Sequence, residues 1–228
     1  MTEKKNSKKS QPKAGIKADR KQQNNQNDLF PVVGIGASAG GLEAFMQLLS
    51  HLPIDTDMAF IIIQHMLPHQ ESVLSVILAR STLMPVHEVT DGMLIAPNQV
   101  YVIPPNVSIT IDRGVLKLTP RGRGRGVFMS VDTFLLSLAE ERGNKAIGVI
   151  LSGGDGDGAQ GLKAIKVAGG ITFAQCQDSA QVSSMPNTAA ATGQVDFIST
   201  PEKIAQKIAE IARHPYMVDR LVTDAIGL

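Results

Sequence analysis

From residue 30 onward the chain alternates between short apolar runs and stretches with helical spacing. Pro31–Gly36 (PVVGIG) is apolar and ends in glycines, which predicts a buried strand. Gly41–Leu52 follows, with Leu42, Phe45, Met46, Leu48, Leu49 and Leu52 at a helical period. Met58–Ile63 (MAFIII) is a continuous apolar run, the pattern of a strand covered on both faces. Glu71–Arg80 is helical again, through Val73, Leu74, Val76, Ile77 and Leu78. Strand, helix, strand, helix predicts a parallel α/β sheet.

The middle departs from this rhythm. Val100–Ile103, Val107–Ile111 and Val115–Leu118 read as three short strands, the last two flanking the turn tripeptide Asp112-Arg113-Gly114 as a β-hairpin. Arg121–Gly126 (RGRGRG) reads as a basic loop, either a mobile linker or a contact for anionic groups. The α/β alternation then returns. Ser130 is placed to cap a helix through Glu141, with Asp132 in its first turn and Gly143 just past its end. Ala146–Leu151 (AIGVIL), Gly170–Ala174 and Val195–Ile198 read as strands and Asp157–Ala168 as a helix; a short helix closed by Gly193 separates the last two strands. Thr200 as N-cap and Pro201 in the first turn open a final helix, which His214-Pro215 stops.

Composition narrows the class. With 228 residues and 43% hydrophobic, the chain can bury one sizeable core. Aromatics are 4% with no Trp, which argues against a nucleic-acid binder that works by stacking. The single cysteine excludes an internal disulfide and points to a reducing compartment. No apolar run reaches the roughly 18 residues of a membrane helix, and the N-terminus is polar. A soluble cytoplasmic protein is expected, without membrane insertion or a nucleic-acid partner. The net charge of +1 hides an asymmetry: residues 1–28 carry eight Lys and Arg against Glu3, Asp19 and Asp28, +5, which leaves −4 for the remainder. The expected organisation is a disordered basic tail over 1–29, one domain over 30–213, and a C-terminal extension or linker over 214–228.

Three strand ends carry candidate chemistry. The first runs into Gly34-Ile35-Gly36-Ala37-Ser38-Ala39-Gly40-Gly41. Read from Gly34 this is G-x-G-x-x-A, the phosphate-cradling turn of a dinucleotide-binding unit. Read from Gly36 it is G-x-S-x-G, an elbow that presents Ser38 as a nucleophile. A purely structural glycine turn is the third reading. The second strand ends in Gln64-His65, with no carboxylate for a ribose but with a base for a serine. His65 also reads as a satisfied, partly buried histidine. The third ends in Ser152-Gly153-Gly154-Asp155-Gly156-Asp157-Gly158. Asp157 there could orient an imidazole or only cap the next helix. The Asp-Gly-Asp-Gly pattern lacks the glutamate of a calcium loop. In a parallel sheet all three strand ends share one crevice. Together they favour a serine hydrolase that needs no metal or cofactor.

These residues resemble the catalytic domain of chemotaxis protein-glutamate methylesterase (CheB-type). The resemblance rests on GIGASAGG at Gly34–Gly41, IIIQHM at Ile61–Met66 and VILSGGDGDG at Val149–Gly158. It extends through Val100–Pro105, Ser130-Val131-Asp132, Phe173-Ala174-Gln175 and Met185-Pro186, over about residues 30–213. It implies a doubly wound, mostly parallel sheet in an α/β/α sandwich with an inserted antiparallel hairpin. It implies Ser38 as nucleophile, His65 as base and Asp157 as orienting acid. The substrates it implies are glutamate γ-methyl esters on chemoreceptor cytoplasmic helices, with deamidation of specific glutamines.

The chain departs from the family pattern in places. Many members carry Thr at the position of Ala39, Met at that of Gly154 and Pro at that of Met129. Backbone N–H groups near Ala39 or Gly154 remain as oxyanion donors, and Arg121, Arg123 and Arg125 as a docking loop for the receptor. The family's usual receiver domain does not fit into a 29-residue tail. The S-A-G-G version resembles the branch in which the methylesterase precedes a methyltransferase on one polypeptide, with Leu228 a truncation point. Two alternatives stand beside the esterase: a catalytically weak sensory or interaction module on the same fold, and, more distantly, a dinucleotide-binding protein.

Overall fold

The computed structural model describes residues 30–64, 73–120 and 129–214. In chain order these form β1 (Val32–Ala37), α1 (Gly41–Ser50), β2 (Ala59–Gln64), α2 (Leu74–Leu78), β3 (Val86–Glu88), β4 (Met93–Leu94), β5 (Gln99–Val102), β6 (Val107–Asp112) and β7 (Val115–Pro120). They continue with α3 (Ser130–Arg142), β8 (Ala146–Ile150), α4 (Ala159–Val167), β9 (Ile171–Gln175), α5 (Ser184–Ala191), β10 (Phe197–Ser199) and α6 (Pro201–Ala212). Seven strands form a parallel sheet in the order β10-β9-β8-β1-β2-β5-β3; β4, β7 and β6 form a separate antiparallel sheet.

The period-2 geometry of a strand sorts the apolar runs onto two faces. Val33, Ile35, Phe60 and Ile62 point to one side, where α1 supplies Phe45, Leu48 and Leu49 and α6 supplies Ile204 and Ile208. Val32, Ile61 and Ile63 point to the other, against Phe134, Leu135 and Leu138 of α3 and Leu162 and Ile165 of α4. All of these side chains are fully buried, each worth ~1.5–3 kcal/mol relative to exposure. Both faces are thus covered, so the central strands read as unbroken apolar runs, and the fold is the expected doubly wound α/β sandwich.

Gly34 and Gly36 belong to this packing. A Cβ on Gly34 would lie 2.6 Å from Leu135 Cδ2, and one on Gly36 2.3 Å from Val131 Cγ1. These glycines let α3 approach β1 closely. That accounts for their place in the strand without the phosphate turn of a dinucleotide site.

Several expectations change in detail. β3 and β4 have three and two residues, too short for any periodicity to show. β3 closes one edge of the parallel sheet, and β4 makes the hairpin three-stranded. β5, the first of the three short middle strands, belongs to the parallel sheet. The strand expected at Val195–Ile198 is Phe197–Ser199. α3 starts at Ser130 itself, with Met129 at the N-cap position and no side-chain cap of its own. α4 starts at Ala159, two residues beyond Asp157, behind Gly158 in a left-handed conformation with φ 96°. Residues 1–29 and 215–228, and the start of the helix expected at Glu71, lie outside the described residues.

Candidate active site

β1 is the middle strand of the sheet. The chain first builds outward from it through β2 and β5, then crosses to its other side for β8 and β9. Chain order therefore reverses between β1 and β8, and the loops leaving their carboxyl ends flank a switch point, where open α/β sheets bind ligands.

Ser38 is the first residue beyond β1. Its N–H donates to the carbonyl of Ser152 (2.9 Å), and its own carbonyl accepts from the Gly41 N–H (3.0 Å). Gly40 reverses the chain at φ 73°, and a Cβ there would lie 2.7 Å from Ser152 Oγ. Ser152 joins this loop to two others. Its Oγ donates to the Ala39 carbonyl (2.8 Å) and accepts from the Val182 N–H (3.0 Å), while its N–H donates to Gln175 Oε1 (2.9 Å). The backbone of Ser38 is thus clamped, while its half-buried side chain makes no hydrogen bond to a described residue.

Gly153 is the close neighbour of Ser38. A Cβ on Gly153 would sit 3.1 Å from Ser38 Cβ and 2.3 Å from Met185 Sδ, so only glycine fits. Ala39 and Gly154 are exposed on the same rim, and a Cβ on Gly154 would meet only Val182 Cγ1, at 3.9 Å.

Asp157 is buried, 1% exposed. Its Oδ2 accepts from the Val131 N–H (3.0 Å) and its Oδ1 from the Asp132 N–H (2.8 Å). It therefore caps α3, 26 residues away in sequence, and not α4, which follows it. Asp155 is half-buried, and its Oδ1 accepts from the Asp157 N–H (3.1 Å). Asp132 is 6% exposed, and its Oδ1 accepts from the Gly161 N–H at the start of α4 (2.7 Å). Sequence reading placed Asp132 only in the first turn of α3; its partner in α4 has no local signal. Burial pushes the Asp157 carboxyl above its ordinary value, against the pull of the two N–H donors, and Asp132 and Asp155 nearby add to the rise. Asp132 is raised for the same leading reason.

His65, Arg121, Arg123 and Arg125 lie outside the described residues. β1 and β2 pair with Ala37 opposite Gln64, the residues that precede Ser38 and His65 in sequence. Among the described residues no group of three or more His, Cys, Asp or Glu could hold a metal ion, and no helix is long and apolar enough to cross a membrane.

A family model described as CheB methylesterase matches residues 33–208. A protein-glutamate methylesterase/protein-glutamine glutaminase of Anaeromyxobacter dehalogenans is 34% identical over 190 residues, covering 80% of this chain and 54% of that protein. An uncharacterized 104.1 kDa protein of Rhodobacter capsulatus is 39% identical over 140 residues, 61% of this chain and 15% of that one. The crystal structure of the Thermotoga maritima CheB methylesterase catalytic domain matches with a TM-score of 0.74 at 28% identity, over 80% of this chain and 99% of that chain. The chain spans about half the length of curated relatives such as the Anaeromyxobacter protein. A match over most of the chain, on the same doubly wound fold and with Ser38 at its switch point, leads to one conclusion: the chain belongs to the CheB methylesterase family.

Proposed function

We propose that this domain hydrolyses glutamate γ-methyl esters on the cytoplasmic helices of chemoreceptors or similar signalling proteins, and deamidates specific glutamines there. The observation that carries the reading is Ser38, whose backbone is clamped to Ser152 while its hydroxyl is left without a described partner at the switch point. The pairing of Ala37 with Gln64 supports His65 as its base, since each of the two residues follows directly in sequence.

In this mechanism Ser38 Oγ attacks the ester carbonyl while His65 takes its proton. Asp157 supports the imidazolium. Each of its oxygens accepts one backbone N–H, which leaves lone pairs for an imidazole N–H. Backbone N–H groups at Ala39 and Gly154 hold the developing oxyanion. His65 then gives its proton to departing methanol, and water clears the acyl-enzyme by the same route. Arg121, Arg123 and Arg125 supply local positive charge for an acidic receptor helix. A methyltransferase domain on the same parent chain would make the ester that this domain removes.

The test is methanol release from methylated receptor. Ser38→Ala should keep the melting temperature and lose nearly all turnover, and a fluorophosphonate should label the wild type alone. Wild-type turnover in a folded Ser38→Ala protein would refute the nucleophile. A wild-type domain that neither releases methanol nor reacts with the probe would instead be an interaction module on this fold.

A further inference from the structure

α3 and α4 start side by side, and neither carries its own cap. Met129 has no side-chain oxygen to offer at the start of α3, and Gly158 has no side chain at the start of α4. Gly158 cannot be exchanged for a capping residue, since a Cβ there would lie 2.3 Å from Ile150 Cδ1 and its φ is 96°. Two converging helix N-termini bring positive dipole ends together. Each is met by the carboxylate that precedes or begins the other helix: Asp157 caps α3, and Asp132 takes the Gly161 N–H and faces those of Gly158 and Gln160. The contact between the helices has no slack, because a Cβ on Gly161 would fall 2.4 Å from Leu135 Cβ.

We propose that Asp132 is a positioning residue for the hydrolysis, pinning the loop that carries Asp157 and placing a second negative charge beside it. This rests on the Ser38–His65–Asp157 reading above. Asp157 lies two residues before α4, so release of the α4 N-terminus moves its carboxylate directly. Misplacement of a catalytic group by about 1 Å costs on the order of 100-fold in rate. The charged groups facing Asp132 among the described residues are Asp155 and Asp157, both carboxylates, so its own charge adds to the field that favours an imidazolium.

The experiment compares Asp132→Asn and Asp132→Ser with wild type, using Ser38→Ala and His65→Gln as references. Asp132→Asn keeps an acceptor of the same reach for the Gly161 N–H and removes the charge, and Asp132→Ser removes the charge with a shorter side chain. Methanol release gives kcat, KM and the pH profile of kcat/KM, and circular dichroism gives the melting temperature. Asp132→Asn should lower kcat by about tenfold or more at unchanged KM, part of the roughly 100-fold that a 1 Å misplacement costs. The acid limb should move to lower pH, because the base loses a neighbouring negative charge. If Asp132→Asn does not fold, Asp132→Ser gives the same readouts. A lowered melting temperature with kcat and acid limb unchanged would overturn the inference and leave Asp132 as a structural cap only; a fall in kcat with an unmoved limb would overturn its electrostatic part. Turnover surviving in Ser38→Ala or His65→Gln would overturn the triad beneath it. Loss in those references with unaltered Asp132 variants overturns this inference alone.

Discussion

Asp157 caps a helix far from it in sequence, and Asp157→Ala measures what that cap contributes. The substitution leaves the Val131 and Asp132 N–H groups buried at the start of α3 with no acceptor. A buried donor left unsatisfied costs ~1–3 kcal/mol, so two put the gross loss at about 2–6 kcal/mol. Part is offset, because burial already holds the Asp157 carboxyl above its ordinary value and Ala removes that charge. The net expectation is about 2–3 kcal/mol, a fall in melting temperature of about 5–10 °C for a domain of this size. Circular dichroism is the suitable probe, since the chain has no Trp. The urea midpoint should fall with little change in slope. The pH dependence follows from the raised folded-state value. As pH falls, folded Asp157 takes its proton before the unfolded chain does, so stability linked to it rises through the folded value and is complete below the ordinary carboxylate value of ~4. The variant lacks this gain, so its deficit against wild type should widen towards acid. A variant that melts within about 1 °C of wild type at neutral pH would refute the capping role.

Gly36→Ala should destabilise by about 1–3 kcal/mol, read by thermal melting, because its Cβ would fall 2.3 Å from Val131 Cγ1 in a packed core. Burial raises the Asp196 carboxyl but is outweighed by Lys166 and the Thr172 donors, which leave it below its ordinary value. Its contribution is present above the unfolded value and lost as pH falls through the folded one, so the deficit of Asp196→Asn, ~1 kcal/mol at neutral pH, should close in acid melts. Replacing Arg121, Arg123 and Arg125 together by Gln should weaken hydrolysis of receptor substrate, more so at low salt, while sparing a small soluble ester; equal losses on both would show that the loop supports the site itself.

The parallel α/β core was legible in the sequence because its determinants are local. Buried strands such as MAFIII and the four-residue spacing of Ile204 and Ile208 announce themselves within a few positions, and Asp112-Arg113-Gly114 marks its own hairpin. The place of Ser38 at the end of β1 was legible for the same reason: it stands between Gly36 and Gly40 after an apolar run. β3 and β4 left no signal, because three or two residues hold no period and their pairing is decided by β5 and β7. The cap of α3 was expected at Ser130, and the capping alternative for Asp157 pointed to the helix that follows it. Both differ from the structure for one reason. A cap is a contact between a side chain and whichever N–H groups lie beside it, and the sequence does not say that α3 and α4 start together. That juxtaposition, with Gly34, Gly36 and Gly161 admitting the close packing, is set only when both helices settle on the same face of the sheet. It alone turns Asp132 and Asp157 into caps for each other's helices.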